Sequence, residues 1–185
     1  MRGCYYGTAS AGALGSMVAA IIPTGPVPPA QSEFEGFAHM ATRLPTSEEI
    51  NVFDSLDERC AANNFLGKDL EQARRLFAEN FLRYQEDLMW MGPKAFAFYW
   101  HAAVNYLLSE EADNAADAVS SFLSLIEFRL EYEPTEMVRV GPLIRESILK
   151  MLENFDRYGF GGEVYGDAYG DVAGRFRVLL SRLDG

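Results

Sequence analysis

The sequence predicts an all-α protein, an irregular antiparallel bundle of five to seven helices in one domain. Three observations carry that expectation. From Thr46 onward apolar residues recur at spacings of three and four, no alternating strand pattern of useful length occurs, and Gly and Pro punctuate the apolar runs at helix-length intervals. The 185 residues, 49% hydrophobic and 13% aromatic, suffice for one sizeable core. Residues 1–43 read as a flexible leader and linker, and residues 44–185 as the helical domain. Within the leader, the small apolar stretch from Ala9 to Ile22 is interrupted by Gly12, Gly15 and Ser16 and preceded by a single Arg2, a poor match to an export signal.

Thr46 and Glu49 have the spacing of a capping box, and Ile50, Phe53, Leu56 and Cys60 follow at helical intervals, predicting a first helix over about 47–62. Gly67 interrupts the chain. Asp69 with Gln72 then repeats the capping logic ahead of Leu70, Ala73, Phe77 and Phe81. Residues 84–92 read as a short turn or helical piece closed by Gly92, with Pro93 suited to the first position of the next helix. Residues 93–108 are apolar almost all round, which predicts a central helix. Asp113 is the expected cap of a helix striped by Val119, Phe122, Ile126 and Leu130 and ended by Pro134. A fifth helix, with Pro142 near its start, carries Leu143, Ile144, Ile148, Met151, Leu152 and Phe155. Gly159, Gly161 and Gly162 close it, and Val172, Phe176, Leu179, Leu180 and Leu183 mark a last helix.

The net charge of −11 opposes binding to nucleic acid, whose phosphates attract Lys and Arg, and favours a basic partner. Its distribution is uneven: residues 110–136 hold eight acidic residues against Arg129 alone, whereas residues 137–185 balance at seven and seven. The two cysteines, Cys4 and Cys60, form no CxxC pair and fit a reducing cytoplasm; no apolar run reaches transmembrane length.

Candidate chemistry is sparse. Of the two histidines, His39 falls in the leader and His101 in the apolar helix, and no nucleophile motif accompanies either. The glycines at 159–162 follow a helix rather than a strand and so lack the context of a phosphate loop. Asp167 and Asp171 supply too few oxygens for a calcium site. No cofactor or metal is implied. Two constellations remain. Glu110, Glu111, Asp113, Asp117, Glu127 and Glu131 compose an acidic docking surface or, more blandly, a solvated face. Tyr84, Glu86, Asp87, Trp90, Tyr99 and His101 compose an aromatic and carboxylate pocket for a small molecule, in which burial against a ring raises a carboxyl pKa.

The stretches "FDSLDERCAANNFLGKDLEQARRLF" and "FLRYQEDLMWMGPKAFAFYW", within residues 44–108, resemble small bacterial all-helical proteins. The "GPKAF" helix start and the Tyr/Trp-rich central helix are similar in style to the immunity-type proteins of bacterial toxin systems. That resemblance implies a non-enzymatic, inhibitor-like partner of a basic protein, and carries over no functional residue. The competing expectation is a small-molecule-binding protein or enzyme built on the aromatic pocket.

Overall fold

A computed structural model describes residues 43–160 and 170–183 of the chain. Residues 1–42 of the leader, with Cys4 and His39, and Gly161, Gly162 and Asp167 of the 161–169 segment lie outside the described residues. Among the described residues there are seven α-helices and no strand: α1 (Ser47–Ile50), α2 (Leu56–Phe65), α3 (Leu70–Trp90), α4 (Pro93–Leu107), α5 (Ala116–Tyr132), α6 (Pro134–Glu153) and α7 (Val172–Leu183). Single 3₁₀ turns at Glu110–Ala112 and Phe155–Tyr158 complete the connections.

The expected first helix is two helices. Asn51 ends α1, Asp54 takes a left-handed conformation (φ 56°), and Ser55 starts α2 with a complete capping box: Glu58 N–H donates to Ser55 Oγ at 3.2 Å and Ser55 N–H to the Glu58 carboxylate at 2.9 Å. The break shifts the helical phase. Phe53, Leu56 and Cys60 are exposed, and the inward stripe of α2 is Glu58, Ala61 and Phe65. A Cβ on Gly92 would lie 2.6 Å from the Glu49 carbonyl oxygen, so only glycine allows the α3–α4 turn to meet α1, where Gly92 N–H donates to Ile50 O at 3.1 Å.

Asp69 and Gln72 cap α3 as the spacing predicts, with Gln72 N–H donating to Asp69 Oδ1 at 2.7 Å. The helix does not stop before residue 84. It bends at Asn80 (φ −159°, ψ 88°), whose Oδ1 accepts the Arg83 N–H at 3.1 Å, so that Asn80 caps the second half and residues 84–90 continue as regular helix.

Pro93 opens α4, and residues 95–107 are buried except at His101 and Asn105. With α1, α3 and α6 packed around it, α4 is the central helix, as its apolar composition demands. Its polar atoms are satisfied by neighbours: Tyr99 O–H donates to Phe65 O at 2.6 Å, and Trp100 Nε1–H donates to Ser147 Oγ on α6 at 3.0 Å.

Two expected boundaries move. Ala115, not Asp113, precedes α5; Asp113 instead pairs with Arg157 at 2.7 Å. α5 ends at Tyr132, and Pro134 serves as the first residue of α6, where its missing N–H leaves nothing unpaired. Because α6 starts so early, Pro142 lies inside it rather than near its start. Val172, Phe176 and Leu179 bury the inner face of α7, with Leu180 and Leu183 packed beside them, in agreement with the periodicity.

Candidate functional site

An open groove of about 340 Å³ lies between α2 and α3. Asp57, Cys60, Asn63 and Asn64 line it from α2, and Arg83, Glu86, Asp87 and Trp90 from α3. Both sets follow helical spacing, so two polar stripes face one another across the cleft. Glu86 is exposed at the rim, whereas Asp87 is buried and accepts the Asn64 amide N–H at 2.7 Å. Burial pushes the Asp87 carboxyl above its ordinary value, against the pull of the Asn64 hydrogen bond and the Arg83 charge.

Trp90, 43% exposed, closes one end of the groove. Its ring meets Phe128 edge to face, with centroids 5.4 Å apart, and Phe128 meets Tyr132 at 4.6 Å. The three rings thus run from the groove to the last turns of α5, where Phe128 is half-buried and Tyr132 exposed. Phe128 and Tyr132 stand four apart on that helix.

Behind this strip lies Arg129, 1% exposed. Its guanidinium donates to the carbonyls of Met89 and Met91, both at 2.9 Å, approaches Glu133 at 2.8 Å and lies over the Phe96 ring at 4.4 Å. These contacts fix the C-terminal end of α3, and with it Trp90. Burial lowers the Arg129 pKa and raises that of Glu133, which the Arg129 charge pulls back down.

The structure separates the residues expected to form a pocket. Glu86, Asp87 and Trp90 share the groove. Tyr84 is buried against Phe65, edge to face at 6.0 Å, and Tyr99 is fully buried on the Phe65 and Lys68 carbonyls, its hydroxyl pushed up to about 12 by burial. His101, half-buried, faces α6; burial lowers its pKa and Glu146 partly restores it. Neither Tyr99 nor His101 lines the groove. The reason is rotational: on α4 these residues point toward α2 and α6, which the linear sequence does not reveal.

Three residues of the acidic block have arginine partners from distant parts of the chain. Glu111 binds Arg74 at 2.8 Å, Asp113 binds Arg157 at 2.7 Å, and Glu127 takes both ends of the Arg175 guanidinium, the Nε at 3.1 Å. Glu110 and Glu131 are exposed, and so is Asp117 in the first turn of α5. No group of three or more His, Cys, Asp or Glu among the described residues is placed to hold a metal ion, and no described helix is long and apolar enough to cross a membrane.

No family model, curated protein or solved structure matches the chain. The groove therefore rests on its own chemistry: carboxylates at the rim and floor, one arginine, and an aromatic strip held by a buried guanidinium. The sequence signals Glu86, Asp87 and Trp90. It also carries a signal for Asp57, Cys60 and Asn64, an i, i+3, i+7 set, but only once the break at residues 51–55 is known.

Proposed function

We propose that the chain is a non-enzymatic interaction protein that holds a basic protein partner, in the manner of immunity or inhibitor proteins, and that the groove between α2 and α3 is where it does so. The observation that carries this reading is the make-up of the groove: Asp57, Glu86 and Asp87 set against Arg83, with Trp90 at the end. Such a surface attracts a cationic face at long range, and desolvated carboxylate contacts then fix the register. Glu86 and Trp90 lie one turn apart on α3, a spacing at which an arginine can stack over the indole while its guanidinium reaches the carboxylate. The ring strip and Glu131 extend the same chemistry onto α5. The exposed free thiol of Cys60 fits a reducing compartment, and the proposal places the protein in the cytoplasm.

The test is affinity capture by the full 185-residue chain from its native lysate, at about 0.1 M and about 1 M salt, between which the screening length falls about threefold. The expected result is one basic protein, retained at low salt, released at high salt and lost with Glu86→Lys. Capture that ignores both salt and Glu86→Lys overturns the reading, as does the absence of any basic protein.

A further inference from the structure

The loop that joins α1 to α2, residues 51–55, is held far more firmly than a surface connection requires. The Glu58 carboxylate, on a residue 3% exposed, accepts the N–H groups of Val52 at 2.9 Å, Phe53 at 3.0 Å and Ser55 at 2.9 Å. From the outer side, Asn51 Nδ2–H donates to Asp54 Oδ1 at 3.1 Å and the Arg59 guanidinium donates to the Asp54 carbonyl at 3.1 Å. Asp54 holds a left-handed conformation that side-chain-bearing residues disfavour. Yet the apolar side chains of this pinned segment point to water: Phe53 is 86% exposed and, just beyond it, Leu56 is 72% exposed. The ordering therefore adds little to the core. It presents a large aromatic in one place with little conformational freedom left to lose, which is the physical profile of a binding anchor.

We infer that Phe53, with Leu56 beside it, is the apolar anchor of the same interface, seated in a pocket of the basic partner whose rim carries Lys or Arg. The inference rests on the proposed groove reading. Charge complementarity selects the occupant. Asp54, between the two apolar residues, is paired with Arg59 at 3.5 Å, but Asp57, next to Leu56, lines the groove with Glu86, so one cationic rim serves both surfaces. The same carboxylates, and a net charge of −11, oppose docking on an anionic lipid surface.

The experiment places the photo-crosslinker p-benzoylphenylalanine at position 53 of the full chain, and at position 178 on α7 as an exposed control, and irradiates both in native lysate. The expected product joins position 53, and not position 178, to the salt-sensitive basic protein that Glu86→Lys fails to capture, at a peptide mixing apolar residues with Lys or Arg. Phe53→Ser should weaken the purified complex about thirtyfold, the size of a hot-spot loss, with an unchanged melting temperature and an unchanged salt slope. Capture of the basic protein by Phe53→Ser at wild-type strength overturns the anchor and leaves the groove standing. A crosslink to a second copy, to residues 1–42 or to lipid also overturns it. Absence of any salt-sensitive basic protein overturns anchor and groove together.

Discussion

Glu58 and Arg129 are the most deeply buried charged side chains among the described residues, and each holds backbone that positions the proposed interface. For Glu58, burial alone pushes the carboxyl pKa up, but the N–H groups of Ser55, Phe53 and Val52 outweigh it and leave the value below the ordinary 4.5. A depressed carboxyl contributes stability that is present above the unfolded value and lost as pH falls through the folded one. Glu58→Gln should therefore destabilise the protein by about 1–3 kcal/mol at neutral pH, from unpaired loop donors, and by less as pH drops below about 4, read by urea unfolding. Arg129 gives the opposite pH sign. Arg129→Met leaves the Glu133 carboxyl, already raised by burial, without its cation. A raised carboxyl favours the folded state only while protonated, so this variant should be strongly destabilised at neutral pH and recover part of its stability on acidification toward the ordinary glutamate value. A wild-type-like pH profile for Arg129→Met would remove Glu133 from the account.

At the scale of elements, caps and breaks place the groove. Asn80 bends α3 and caps its second half, the half that carries Arg83, Glu86, Asp87 and Trp90. Asn80→Ala should cost about 1 kcal/mol in thermal or urea unfolding, the usual loss of an N-cap, with helix content nearly unchanged. Pro142, exposed inside α6, lacks the N–H that would bond the Val138 carbonyl; Pro142→Ala should raise the melting temperature by several degrees, about 2–4 °C per kcal/mol for a chain this size. Both elements show how far local signals reach. The capping boxes at Asp69 and the proline at 93 are chemistry between residues three or four apart, and the sequence displays them directly. The split of residues 47–62 is not displayed, because Ser55 and Glu58 have capping-box spacing but sit inside an apolar repeat that a longer helix would also produce. What decides between them is Glu58 turning inward to collect loop N–H groups, a tertiary event.

Over the whole molecule the same limit governs charge. The central helix was legible because α4 has no polar face, and any helix of that composition must be surrounded. The acidic block is continuous in sequence, which shows the acids but not their partners. In the fold, arginines 37, 44 and 48 residues away meet Glu111, Asp113 and Glu127. At the groove, Asp57, Glu86 and Asp87 stand against Arg83 alone. Converting Glu111, Asp113 and Glu127 together to their amides should change stability by less than about 1 kcal/mol per pair and leave partner capture intact, since exposed ion pairs contribute little. The proposed function thus rests on a small part of a net charge of −11, placed beside aromatic surface.

The most direct test of that claim is the affinity of the full chain for its captured partner at about 0.1 M and about 1 M salt, for the wild type and for Glu86→Lys with Trp90→Ala. The wild-type affinity should fall at least about tenfold with salt, and the double variant should bind weakly and almost without salt dependence. Equal affinity and equal salt dependence in both proteins would contradict it.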